Sequence, residues 1–182
     1  MKWITKNKVF AAVLAVATFA GCSSAVNQSA DVAGNIRKSL DQVGLKDVTV
    51  SQDRDKGVVT LGGHVATEGE RGQAEFLTKP LAAGQVVAVE IAVLPVGLEK
   101  DAKAINSDVD KGIEKNLDAA LIASKFHDSV KYEVRNSVVT LTGEVESQAR
   151  RGAAERLASQ VPYVKQVVNT VQVKNTKATS TL

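Results

Sequence analysis

The sequence has very few of the side chains that carry most catalytic and metal chemistry. It contains one cysteine, Cys22, and two histidines, His64 and His127. A single thiol excludes an intramolecular disulfide, and neither histidine has a partner at zinc-ligand spacing. A phosphate-binding loop is also missing, because Gly62-Gly63 lies inside a strand pattern and no Gly-Lys-Ser follows it. We therefore expect no enzyme activity, no metal site and no cofactor.

An excess of one charge and a long apolar run are absent as well. The chain has 23 Lys and Arg against 20 Asp and Glu. Lys2, Lys6 and Lys8 precede the apolar run Val9–Ala20, which is too short to cross a hydrocarbon core of roughly 30 Å. This order predicts a signal peptide over residues 1–21. Its removal leaves 20 charges of each sign, so the mature chain gives no reason to predict a nucleic-acid partner.

The predicted signal peptide is followed by a predicted site of lipid attachment. Cys22 stands directly behind Phe19-Ala20-Gly21, and this segment resembles the lipobox of bacterial lipoprotein precursors. The resemblance implies cleavage before Cys22, a diacylglycerol thioether on its sulfur, and an acyl chain such as palmitate on the freed amine. Because Ser23 rather than Asp follows the cysteine, it also implies anchoring in the outer membrane, facing the periplasm. The alternative is an ordinary secretory signal with a chance cysteine.

The rest of the chain contains one pattern twice. Residues 58–65 read VVTLGGHV and residues 138–145 read VVTLTGEV, a shift of 80 residues. The register persists in the pairs Arg71 and Arg151, Leu77 and Leu157, Val87 and Val167, and Ile91 and Val171. An internal duplication of this size predicts two similar units rather than one large domain.

Each unit has the same predicted order of elements. Apolar residues three to four positions apart predict an opening helix in Val32–Val43 and in Val109–Leu121, with Ser29 and Ser107 as N-caps. Two alternating runs joined by turn residues predict a hairpin. A second helix and a last strand, at 86–94 and 164–174, complete the unit. The predicted fold class is α+β, with two helices over a three-stranded sheet in each unit.

The order helix, strand, strand, helix, strand, with the second strand reading V-x-L-x-G-x-V, resembles the BON domain, named for bacterial OsmY and nodulation proteins. The residues that carry the resemblance are 59–65 and 139–145. Two such domains behind a lipobox resemble the dual-BON envelope lipoproteins. The predicted organisation is signal peptide 1–21, tether 22–28, first BON domain 29–95, linker 96–105, second BON domain 106–175 and tail 176–182.

The two units differ most between their first helix and first strand, where the second unit has five more residues. The longer segment combines apolar side chains with lysines, as expected of a helix end on an anionic membrane. The resembled family is implicated in phospholipid binding at this place. The predicted lipid-contact residues are Lys111, Lys115, Leu121, Ile122, Lys125 and Phe126. The alternative is that Leu121 and Phe126 complete a longer core.

Two alternative roles are open for each of two further groups of residues, three arginines and two glycines. Arg71, Arg150 and Arg151 would contact lipid phosphates or lie on solvated helix faces. Gly63 and Gly143 would admit a closely packed helix or form a bulge.

The resemblance implies a lipid-anchored, non-enzymatic protein that binds anionic phospholipid and supports envelope integrity under osmotic or detergent stress. The alternative is an envelope scaffold whose valine-rich strand edges bind an envelope-assembly protein.

Overall fold

The computed structural model describes residues 28–174, which form two units of the same fold. The first unit contains α1 (Ala33–Gln42), β1 (Val48–Asp53), β2 (Val58–Val65), α2 (Glu68–Leu81), β3 (Val86–Val89) and β4 (Ala92–Val93). The second contains α3 (Glu99–Ala123), β5 (Val130–Arg135), β6 (Val138–Val145), α4 (Gln148–Ser159), β7 (Gln166–Asn169) and β8 (Gln172–Val173). The predicted α+β class and order of elements are confirmed. The signal peptide, Cys22, the tether up to residue 27 and the tail lie outside the described residues.

Each unit has one mixed sheet. β2 pairs antiparallel with β1 and parallel with β3, and β6 pairs in the same way with β5 and β7. The predicted last strand of each unit is present in two pieces, because β4 and β8 continue the parallel pairing of β3 and β7 after a break of two residues. The break in the first unit falls at Glu90 and Ile91.

Gly63 and Gly143 each lie against the backbone of a neighbouring segment. Both have positive φ, +81° and +119°. A Cβ on Gly63 would collide with the carbonyl oxygen of Asp47, and one on Gly143 with that of Ser129. The expectation that a helix packs over these glycines is therefore wrong, because the close neighbour is the backbone that precedes the first strand of each hairpin.

The helices start at residues other than those expected. Val32, rather than Ser29, is the N-cap of α1, and the Oε1 of Gln52 accepts hydrogen bonds from the N–H groups of Val32 (3.1 Å) and Ala33 (3.3 Å). α3 begins at Glu99, so Ser107 lies inside the helix and most of the predicted linker 96–105 is helical. The acidic residues Glu99 and Asp101 in its first turn suit the positive end of a helix.

The helices of each unit cover one face of its sheet. The first core includes Ile36, Leu40, Val59, Leu61 and Ala74, and the second includes the equivalent Ile113, Leu117, Val139, Leu141 and Ala154. The opposite faces meet each other in a third buried cluster of Val58, Ala88, Val138 and Val168. The members of this cluster are two pairs of residues 80 positions apart, so the units pack together through equivalent positions.

Candidate functional site

Three of the predicted lipid-contact residues lie on one side of α3. Lys111, Lys115 and Ile122 are spaced by four and seven positions, close to whole helical turns. All three are exposed, and Ile122 is 55% exposed. The buried residues of α3, Ile113, Leu117 and Leu121, belong to the core of the second unit. We call Lys111, Lys115, Ile122 and the exposed Lys125, which follows the helix, the α3 strip.

The α3 strip is not a purely basic surface. The ammonium of Lys111 lies 3.3 Å from Oδ1 of Asp108, and Asp118 lies 3.3 Å from Nδ1 of His127. Asp108 and Asp118 therefore flank Lys111 and Lys115 along this side of the helix. Exposed ion pairs contribute little to stability, but they reduce the positive potential that an anionic surface would meet.

Leu121 and Phe126 lie in the core of the second unit, 0% and 5% exposed. The N–H of Phe126 donates to the carbonyl of Leu121 at 2.8 Å, which turns the chain back under the helix. The prediction that these two side chains enter a membrane surface is therefore wrong for the folded unit, and the alternative of a longer core fits. The five extra residues extend the core at the end of α3.

Two of the arginines support the edge strands. Nη2 of Arg71 donates to the carbonyl of Val89 at 3.4 Å, and Nη2 of Arg151 donates to that of Asn169 at 3.1 Å. Because both pairs are 80 residues apart, the contact is a property of the repeat. The sequence left two interpretations for Arg71 and Arg151, contact with lipid phosphates or a place on a solvated helix face. The structure shows a third, a hydrogen bond to the backbone of a strand.

Neither histidine belongs to a group of side chains that could hold a metal ion among residues 28–174. His64 is exposed, and His127 is paired with Asp118. Within residues 28–174 no group of three or more His, Cys, Asp or Glu side chains is arranged to hold a metal ion. Over the same residues, no helix combines the length and the apolar character needed to cross a bilayer.

A cleft of ≈ 580 Å³ lies between the units. Its wall includes His64, Leu94, Lys103, Asn106, Asp110 and Glu114. Both oxygens of the Asp110 carboxylate are already engaged, since each accepts a backbone N–H at 2.8 Å, from Asn136 and from Ser137. The cleft therefore contains charged side chains of both signs, and the carboxylate of Asp110 is engaged by the backbone of the second unit.

The edge of β3 is occupied by a side chain of the second unit. Nε2 of Gln166 donates to the carbonyl of Val87 at 2.7 Å, and its Oε1 accepts the N–H of Val89 at 3.0 Å. One residue further, Nδ2 of Asn136 donates to the carbonyl of Glu90 at 2.7 Å. Burial raises the pKa of the Glu90 carboxyl at this interface. Sequence patterns missed these contacts, which join residues 46 to 79 positions apart.

The comparisons with known proteins agree with the repeat. The profile of the BON domain matches residues 25–95 and 109–175. The chain is 29% identical to osmotically-inducible protein Y of Escherichia coli K12 over 137 residues, which are 74% of this chain and 67% of that protein.

Solved structures are more distant. CdsD, a structural protein of the type III secretion system of Chlamydia trachomatis, is 13% identical with a TM-score of 0.36, over 78% of this chain and 91% of that one. The C-terminal domain of CdsD is 14% identical with a TM-score of 0.35, over 79% and 98%. These TM-scores are too low to support a conclusion.

Proposed function

Because this chain belongs to the BON domain family, of which it contains two copies, we propose that it is a lipid-anchored envelope protein that faces the periplasm from the outer membrane. In this proposal it binds membrane phospholipid and supports envelope integrity under osmotic or detergent stress. It acts by binding and has no catalytic activity.

The observation that carries the proposal is the order of the parts along the sequence: a charged and then apolar segment, a cysteine behind Phe19-Ala20-Gly21, and two BON domains, the first of which matches from residue 25. The related protein is named for osmotic induction, which supports a role in osmotic stress. One myristoyl chain binds membranes only weakly, about 10⁴ M⁻¹, whereas two or three chains hold a protein stably. Acylated Cys22 would therefore make binding to the membrane permanent.

The anchor is tested by Cys22→Ala in the full chain, followed by membrane fractionation and mass spectrometry. We expect the variant to accumulate as precursor or to leave the membrane fraction, while the control Ser24→Ala behaves as wild type. Mature, membrane-bound Cys22→Ala protein would overturn the assignment.

Phospholipid binding in this proposal uses the α3 strip. Each exposed lysine contributes about 1 kcal/mol of attraction to headgroup phosphates, and Ile122 enters the headgroup boundary.

The test is vesicle binding by the mature Cys22→Ala chain with and without phosphatidylglycerol. Lys115→Glu with Ile122→Ser should weaken binding, most strongly at low salt. The matched control is Lys38→Glu, because Lys38 occupies the equivalent position on α1. Equal loss in both variants would reject the strip.

The alternative function, a scaffold for an envelope-assembly protein, would use exposed strand edges. Since Gln166 occupies part of the β3 edge, that edge is open to a partner only if the units separate. Indifference to lipid in the vesicle assay, together with a specific protein crosslink in cells, would favour the scaffold.

A further inference from the structure

Two apolar side chains are exposed at one edge of the first unit. Phe76 on α2 is 77% exposed, and Val86 at the start of β3 is 48% exposed. Their equivalents 80 residues later are Arg156 and Gln166, which line one groove between α4 and β7. Because α2 and β3 have the same order and register as α4 and β7, the repeat places Phe76 and Val86 along the same groove. We call these two residues the Phe76 patch.

The fold does not require apolar residues at these positions, since the second unit has Arg and Gln there. Phe76 is also largely outside the core of the first unit, with most of its ring in water. Contiguous exposed apolar surface marks interaction sites, and the repeat places Phe76 and Val86 along one groove.

The chain enters the first unit beside this patch. Ser29 donates its backbone N–H to the carbonyl of Arg54 at 2.9 Å. Nε2 of Gln85 donates to the carbonyl of Ala30 at 3.0 Å. Gln85 directly precedes Val86, so the N-terminal segment is held at the end of the unit that carries the Phe76 patch.

The short distance along the chain from Cys22 limits how far this end can lie from the membrane. Gln28 follows Cys22 by six positions, and a fully extended chain spans at most about 20 Å over that separation. We propose that the Phe76 patch contacts the lipid surface into which Cys22 is anchored. This inference rests on the proposed lipid anchor, and it adds a second lipid contact, on the first unit, that is separate from the α3 strip.

The chemistry expected at this contact is apolar. Two lysines nearby are paired, Lys56 3.1 Å from Asp53 and Lys79 2.8 Å from Glu75. Contact through Phe76 and Val86 therefore depends on insertion into the headgroup boundary rather than on anionic lipid. It should persist in phosphatidylcholine and at high salt, where binding through lysines is weak.

The test uses the mature acylated chain in phosphatidylcholine vesicles, with one added cysteine carrying a polarity-sensitive fluorophore. The thioether at Cys22 does not react with the label. At Phe76→Cys we expect a blue shift and quenching by quencher-bearing lipids at high salt, whereas the control Arg156→Cys shows neither. Equal behaviour of the two labels overturns the proposal. A label at Ile122→Cys, measured in vesicles that contain phosphatidylglycerol and at low salt, reports on the α3 strip.

A second measurement avoids the label. In the unacylated Cys22→Ala chain, Phe76→Ser should lower vesicle binding about tenfold through lost apolar burial, and Arg156→Ser should leave it unchanged. Circular dichroism should be unaffected because Phe76 is exposed. Unchanged binding by Phe76→Ser rejects the patch.

Failure of this inference can be told from failure of the proposed function. Quenching at Ile122 but not at Phe76 rejects the patch and supports the α3 strip. A free thiol at Cys22 in the mature protein, measured by mass spectrometry, overturns both.

Discussion

The guanidinium of Arg150 lies over the ring of Phe126, with 4.5 Å between its central carbon and the ring centroid. The same side chain donates from Nη2 to the carbonyl of Lys125 at 3.0 Å. Arg150 therefore covers Phe126 and fixes the turn that brings the ring into the core. An arginine that would otherwise be assigned to solvent or phosphate closes the second core at the end of α3.

Replacement of Phe126 should destabilise the second unit. Phe126→Ala removes a buried ring and is expected to cost about 3–5 kcal/mol, measured by urea unfolding. Arg150→Ala should cost only about 0.5–1 kcal/mol, the size of an exposed cation–π contact. If Phe126→Ala unfolds at the wild-type urea concentration, the ring is not part of the core.

Gly143 should tolerate no side chain. Gly143→Ala forces positive φ on alanine and drives its Cβ against the carbonyl of Ser129, so a loss of at least roughly 2 kcal/mol is expected. Gly112 on α3 is the matched control, because a Cβ there has no neighbour within 4 Å. Gly112→Ala should stabilise by about 0.5–1 kcal/mol. Similar melting temperatures for both variants would contradict this account.

Gln166 should hold the two units together. Gln166→Ala removes two hydrogen bonds to β3, each worth about 0.5–1.5 kcal/mol, and leaves the N–H of Val89 without this partner. Amide hydrogen exchange at Val89 should accelerate, while the exposed Gln172→Ala serves as control. Unchanged protection at Val89 would mean that packing of the buried cluster alone keeps the units closed.

Glu90 should make stability depend on pH. Burial raises its pKa in the folded protein, so the stability linked to this group is present below its ordinary pKa and is lost as pH rises through the raised value. Glu90→Gln stays neutral at every pH. The melting temperature of this variant minus that of wild type should therefore be larger at about pH 7 than at about pH 4, which is close to the ordinary pKa of glutamate. A difference that does not change with pH would exclude Glu90 as the titrating group.

Local patterns predicted the parts of this protein that are repeated in the sequence. The 80-residue shift and the apolar spacing of Ile36 and Ile113 were enough for the number of units and the order of elements. Helix starts were missed where a distant side chain acts as the cap, as Gln52 does for α1. The start of α3 was missed although Glu99 and Asp101 offered a signal.

The candidate site was predicted less completely. An apolar residue beside lysines has the same pattern in a core and on a membrane surface, so spacing alone could not separate Phe126 from Ile122. Burial decided between them, and burial depends on Arg150, which lies 24 residues after Phe126. The contact of Gln166 with β3 could not be predicted, because a glutamine in a strand gives no sign of which backbone it will meet.

At the edge of β3, the side-chain amide of Gln166 makes the two hydrogen bonds that one peptide group of an added strand would make. A full strand there would present its own unpaired edge to the next molecule, as in the growth of a fibril. A single carboxamide offers no second row of donors and acceptors. The second unit thus blocks strand addition at the β3 edge of the first, which limits edge-to-edge association of a valine-rich sheet.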